Sequence, residues 1–446
     1  MPNTEEKQYD EINAMPRKAL FIDILTRDVS VRDCILDLVD NSVDSYIRNN
    51  LQDQRCIRIN LTETGFDIVD DCGGIEYGFL KNEVFRFGAN IKRNKPTLGI
   101  YGIGMKRAML KIGGNIILET DDGIKYCKVN FNVDEWITHE NWKIPFRTVA
   151  GSKLSKTEKG YTRIRIQNLH PQIQKKFALV SFLNSLRETL HITYSYFLNR
   201  KISIFVNTQK VEPYKIEVRY DDDYKPVKIK KELDGVLVEV ICFVDPRKGR
   251  AKKELGKRGW NIFCNKRLIL KEEQSETTGW SGEKGQLPKY HSIYHEFRGI
   301  VFIDSDDPSR LPLNTSKSGL DKETPIYYQI LKLMVKTARP LVDYLSRKYD
   351  KAKESIDEIE ESMEEGEISL EKNGEEKPKY ISIEDLRIRR VSLPRRKKGK
   401  EITTITYTRE KKIVEKVKQY LKATSNRTVG EETFNYFLEM EGIEDD

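Results

Sequence analysis

Nowhere in the 446-residue chain is there a run of roughly 18 uninterrupted apolar residues, which excludes a helical membrane span. The acidic N-terminus does not resemble a signal peptide. No Cys-x-x-Cys pair occurs, and the six cysteines (34, 56, 72, 127, 242 and 264) lie far apart, which points to reduced thiols in a cytosolic protein. Histidine is scarce. Of the five, His291 and His295 stand one helical turn apart with no second ligand pair, which favours surface or structural histidines over zinc. The P-loop pattern is absent, and the glycine spacing is not that of a dinucleotide-binding Rossmann unit.

What the chain does contain is enough for packed domains: 38% apolar residues and 9% aromatics over a length that implies two or three cores. The net charge of +8 hides strong segregation. Residues 354–376 carry eleven acidic side chains and one lysine, whereas residues 387–400 carry eight Arg or Lys and no acid.

Periodicity divides the chain into an N-terminal arm (1–29), an α/β region (30–200), a second α/β region (201–350), a charged linker or helical extension (351–400) and a small module (401–446). The first region predicts strands at Ile57–Leu61, Phe66–Val69, Asn115–Thr120, Ile124–Phe131 and Tyr161–Leu169, with helices near 76–87, 104–112 and 177–198. The second predicts strands at Ile202–Val206, Val236–Val244, Trp260–Cys264 and Gly299–Ile303, then a helix from about Pro325. The last module predicts a Thr-rich strand at Ile402–Tyr407, a helix through Ile413, Val417 and Leu421, and a shorter helix around Phe434–Leu438.

Three motifs carry chemistry. After a capping-box sequence at Ser30 and Asp33, residues 34–46 read as a helix that stacks Asp37, Asn41 and Asp44 along one face. Two carboxylates and an amide beside an apolar face suit a hydrated cation and its anionic ligand; a solvated polar face explains the pattern equally well. Next, Ile68-Val69-Asp70-Asp71-Cys72-Gly73-Gly74-Ile75 puts an aspartate at a strand end entering a tight turn. A buried carboxylate there accepts a hydrogen bond from an exocyclic amine such as that of adenine and rejects guanine. A plain Asp-Gly turn is the competing explanation. Finally, Gly99-Ile100-Tyr101-Gly102-Ile103-Gly104-Met105-Lys106 opens a helix whose free N–H groups suit a phosphate chain, with Lys106 as an added cation.

In this order and spacing, the three motifs resemble the GHKL ATPase superfamily, which includes the gyrase B subunit, MutL, the ninety-kilodalton heat-shock chaperones, histidine kinases and MORC proteins. The resemblance implies a Bergerat α/β sandwich followed by an α/β transducer domain; with the small C-terminal β-α-α module read from the residue pattern, the expected class is α+β. It implies ATP and Mg2+ as ligands, with Asn41 on the metal, Asp70 on the adenine amine and Thr162 supporting the adenine end. Gly99, Gly102 and Gly104 would form the lid hinge and phosphate cradle, and Gly74, Tyr101, Ile103, Met105 and Lys106 complete the nucleotide site.

The chain departs from the family pattern twice. The general-base position, usually glutamate, is Asp37, shorter by one C–C bond of ~1.5 Å, where a misplacement near 1 Å costs about a hundredfold in rate. Cys72 replaces the first glycine of the aspartate-glycine turn. Slow hydrolysis, or binding without turnover, follows from these changes.

Within the superfamily, three stretches are similar to MORC-like proteins and their prokaryotic relatives: Gly-x-Tyr-Gly-x-Gly-x-Lys at 99–106, Phe263–Ile269 and Arg310–Asp321. In such transducers a lysine reaches the terminal phosphate, and Lys317 matches it. The implied protein is a cytoplasmic ATPase that homodimerises on ATP and acts on DNA through residues 387–400, with operon-encoded protein partners as a further expectation. A chaperone-like ATPase with protein clients and a nucleotide-binding module without turnover are the alternatives.

Overall fold

The computed structural model describes residues 15–88, 95–100, 102–148, 151–155, 158–214, 217–220, 226–244, 258–362, 379–382 and 408–441. Tyr101, the acidic run from 363 to 376, the basic tract 387–400 and the expected strand Ile402–Tyr407 lie outside the described residues. The chain divides into two compact units, Met1–Pro394 and Arg395–Asp446. No helix among the described residues is long and apolar enough to cross a membrane.

The first unit opens with α1 (Lys18–Arg27), α2 (Val31–Arg48), β1 (Arg55–Leu61), β2 (Gly65–Asp70) and a short α3 (Tyr77–Phe79) that widens into a π-turn at Leu80–Val84. It continues through α4 (Gly104–Ile112), β3 (Gly113–Asp121), β4 (Tyr126–Asn132), α5 (Val133–Thr138), β5 (Phe146–Thr148) and β6 (Tyr161–Leu169). Then come α6 (Pro171–Phe177), α7 (Val180–Thr193), α8 (Ser195–Leu198), β7 (Ile202–Val206) and β8 (Gln209–Lys210). Eight strands form one sheet in the order β5-β4-β3-β6-β2-β1-β7-β8. Alternation along each strand buries one face only: Ile57 and Ile59 of β1, Phe66 and Ile68 of β2, and Ile164 and Ile166 of β6. These share a core with Ile35, Leu38 and Val39 of α2 and Met109 and Ile112 of α4. Burial of such aliphatic groups at about 25 cal/mol per Å2 holds helix layer to sheet.

Strand Ile202–Val206 follows the expected boundary at residue 200. It pairs in parallel with β1, Ile57 opposite Ile204, so the first sheet runs past that point. Its alternating burial suits either domain, and only the non-local pairing assigns it.

The second α/β region holds β9 (Glu217–Tyr220), β10 (Val227–Leu233), β11 (Val236–Val244), β12 (Gly259–Cys264), β13 (Arg267–Glu273), β14 (Phe297–Asp304), α9 (Pro325–Ser362) and β15 (Lys379–Ser382). Its sheet has the order β10-β11-β14-β12-β13, while β15 pairs with β9. β11 and β12 are almost wholly apolar because both faces are covered. One face meets Ile330, Met334 and Leu341 of α9; the other carries Ile241, Phe243, Phe263 and Phe302 against Ile192 of α7. β10 was not foreseen, since only its two ends are buried and no alternation marks it. Helix α9 extends to Ser362, so the first part of the acidic run is helical.

In the second unit, helices Lys411–Leu421 and Asn426–Glu441 follow one another. The second is the longer, at 16 residues against 11, which reverses the expectation of a shorter terminal helix.

Candidate functional site

Helix α2 begins where the sequence places it: Ser30 accepts the Asp33 N–H and donates its hydroxyl to the Asp33 carboxylate. Its polar residues are not solvated. Asp37, Asp40 and Asp44 are 3%, 1% and 4% exposed, which excludes the reading of α2 as a surface helix with a wet face. Buried carboxylates require partners, and each of the three has a different set.

Asp70, at the end of β2, is held by α2. Ser42 donates to one carboxylate oxygen at 2.7 Å, and the Cys72 N–H to the other at 2.9 Å. Burial pushes the Asp70 carboxyl up to about 6, against these two hydrogen bonds. The turn beyond is fixed by Ser45 and Asn49, which both donate to the Cys72 carbonyl. Gly73 and Gly74 take φ of +104° and +73°, and a Cβ on Gly74 would lie 2.3 Å from the Asp121 carbonyl oxygen. Cys72 is tolerated in place of glycine because the left-handed conformations fall on the next two residues. Thr162 lies opposite Asp70 in the β2–β6 pairing, its hydroxyl 3.3 Å from that of Thr120.

The loop entering α4 is rooted on α2 through Asp44, whose carboxylate accepts the Leu98 N–H at 2.5 Å and the Gly99 N–H at 2.9 Å. Gly102 then turns with φ +64°, and α4 starts at Gly104 without a side-chain cap. Its first amides have no intrahelical acceptor, so this helix start suits an anion. Glycine is required at 104 by close approach: a Cβ would stand 2.9 Å from Asp37 Cγ. Asp37 itself is paired with Arg107, with Nη2 and Nε at 2.6 and 2.7 Å from Oδ2. Asn41 donates Nδ2 to the Asp37 carbonyl at 2.8 Å, and no hydrogen bond engages its Oδ1 among the described residues.

Lys317 enters this site from the second α/β region, on a loop tied by Asn314 and with φ +54°. Its ammonium lies 2.6 Å from Asp40 Oδ2 and 3.5 Å from Asp37 Oδ1. Burial opposes its charge, yet Asp40 and Asp37 hold its pKa above the usual lysine value. Asp40 also accepts from Arg267 Nε at 3.0 Å and from the Tyr194 hydroxyl at 2.5 Å. Burial would raise the Asp40 pKa, but Arg267 and Lys317 bring it below the ordinary carboxylate range.

Asp37, Asn41, Asp70, Gly99, Gly102, Ile103, Gly104, Met105, Lys106, Thr162 and Lys317 line a single solvent-open cleft. Gly74 does not line it; it shapes the turn, and Ile75 forms the wall instead. Lys106 borders the cleft, but its ammonium donates to the carbonyls of Val84 and Arg86 at 2.9 Å each, which ties it to the segment after α3. Burial lowers it to about 8. Sequence reasoning missed Ser42, Arg107 and Tyr194, and gave Asp40 no role in the site. Their roles depend on partners 28 to 277 positions away, which no local pattern signals.

Residues 29–160 match the family model described as histidine kinase-, DNA gyrase B-, and HSP90-like ATPase. The match runs from the residue before the α2 cap to the residue before β6. It supports a GHKL-type ATPase domain in this segment, with ATP binding and hydrolysis as its activity. No curated protein matches the chain.

Proposed function

We propose that the chain is an ATP-dependent conformational switch of the MORC-like kind, which binds Mg-ATP in this cleft, hydrolyses it slowly and dimerises while ATP is bound. The observation that carries the reading is the meeting of Asp70 and Lys317, from two different α/β regions, on the walls of one cleft with the uncapped start of α4. Asp70 suits an exocyclic amine, the α4 amides suit the phosphates and Lys317 suits the terminal phosphate. Asn41 Oδ1 is a hard oxygen donor of the type Mg2+ prefers, and the ion would offset phosphate charge there. Asp37 is the residue that would orient water. DNA is the proposed client, on the charge of residues 387–400.

A second reading is a nucleotide-binding module without turnover. It is favoured by Asp37, both of whose oxygens already face cations, Arg107 and Lys317. ATP hydrolysis by wild type, Asp37→Ala and Asn41→Ala separates the two: turnover in wild type that both variants lose supports the switch, and equal rates remove both residues from catalysis. A DNA gel-shift with and without a non-hydrolysable ATP analogue tests the client. No DNA binding with or without the analogue would sink the DNA assignment, and binding that ignores salt and survives neutralisation of residues 387–400 would remove that tract from it.

A further inference from the structure

Lys317 does not approach the cleft on its own; a buried cluster on both sides of the domain junction presents it. A lysine ammonium has three donors on a flexible stem and reaches a phosphate reproducibly only if other groups fix it. Asp40, from α2, takes one of these hydrogens at 2.6 Å, and Asp37 lies at 3.5 Å. Among the described residues no third hydrogen bond engages the ammonium, which leaves one donor for a ligand on a residue that lines the cleft.

Behind Lys317 stands Arg267, at the first position of β13. Its guanidinium spans the junction: Nε donates to Asp40 Oδ1 at 3.0 Å, and Nη1 to the backbone carbonyl of Lys317 at 2.9 Å. One side chain therefore holds both the carboxylate that grips the ammonium and the left-handed backbone that carries it. Tyr194 closes the set: its one hydroxyl hydrogen goes to Asp40 Oδ1 at 2.5 Å, with the Leu36 carbonyl oxygen 2.9 Å from the same hydroxyl. Asp40, Arg267, Lys317 and Tyr194 are all at most 7% exposed, so solvent does not loosen the arrangement. Asp44 also faces the cleft, but its oxygens are taken by the Leu98 and Gly99 amides.

We infer that Asp40, Arg267 and Tyr194 are positioning residues that hold Lys317 for the terminal phosphate of a nucleoside triphosphate, and so set the preference for triphosphate over diphosphate. This rests on the reading of the cleft as an ATP site. The chosen substitution is Arg267→Lys, which keeps the charge but replaces a planar fork, whose Nε and Nη1 serve Asp40 and the Lys317 carbonyl separately, with a single ammonium. Tyr194→Phe serves as the milder variant.

Titration calorimetry of the full chain with Mg2+ and either ADP or a non-hydrolysable ATP analogue provides the readout. Wild type should prefer the ATP analogue, and Lys317→Ala should abolish that preference. Arg267→Lys should reduce it by at least about fivefold with ADP affinity unchanged, and Tyr194→Phe should act in the same direction more weakly. A full preference in both Arg267→Lys and Tyr194→Phe, or an equal loss of affinity for both nucleotides, overturns the inference. So does a wild type that binds both nucleotides equally. Should Arg267→Lys fail to fold, as its thermal midpoint would reveal, Tyr194→Phe decides. A wild type that binds neither nucleotide removes the ATP reading itself, a different result from any of these.

Discussion

Lys317 and Asp40 are 277 positions apart in the chain and 2.6 Å apart in the folded molecule. That contact joins the two α/β regions of the first unit at the cleft. It is reinforced by Asn265, whose Nδ2 donates to the Thr97 carbonyl at 2.8 Å, beside the amides that Asp44 holds. The root of the loop before α4 is therefore gripped from both regions.

Removing one partner of a buried ion pair leaves the other uncompensated. Asp40→Ala should lower the stability of the first unit by about 3–5 kcal/mol, since Arg267 and Lys317 remain buried with their charge. Chemical denaturation of wild type and variant measures this. A difference under about 1 kcal/mol would show that the cluster is solvated in solution.

Asp70 makes both stability and binding depend on pH. Its folded pKa of about 6 exceeds the unfolded value of 3.8, so between these values the folded chain keeps a proton that the unfolded chain has lost. Stability should fall as pH rises through that window, by ~3 kcal/mol in total. Thermal midpoints from pH 4 to 7 should show a decline in wild type that Asp70→Asn lacks. ATP affinity should move the other way, rising as the Asp70 carboxylate ionises through about pH 6.

Gly74→Ala should cost about 2 kcal/mol or more, because the new methyl meets the Asp121 carbonyl while the backbone stays at φ +73°. The adenine end should suffer with it, for Asp70 and the Cys72 amide belong to the same turn. A thermal midpoint equal to wild type would contradict the close approach.

Gly104→Ala strikes the chemistry more than the fold. A Cβ there lies 2.9 Å from Asp37 Cγ, so the carboxylate must shift by a few tenths of an ångström and drag its Arg107 pair along. Hydrolysis should drop by about tenfold to a hundredfold with a near-normal thermal midpoint. Unchanged turnover would mean that Asp37 is not where the reaction is set.

Much of this was legible in the sequence where the governing physics is local. The α2 cap, the ends of β6 and α4, the Asp70 turn and the helix start at Gly104 each follow from periodicity, capping or conformational freedom within a few residues. The α2, Asp70 and Gly104 motifs carry the resemblance to GHKL ATPases and fall within the matched segment 29–160, whereas β6 lies beyond it.

Tertiary structure alone decided the partners of the buried charges. Periodicity gives the same helical phase to a solvated aspartate and to one locked against Arg267 and Lys317, because period encodes which side of α2 a residue occupies and not what stands there. Likewise, the apolar alternation of Ile202–Val206 marked a strand but could not name its neighbour, which is β1. Contacts across hundreds of residues arise from packing of whole layers, and only the folded chain brings Asp40, Tyr194, Arg267 and Lys317 to one point.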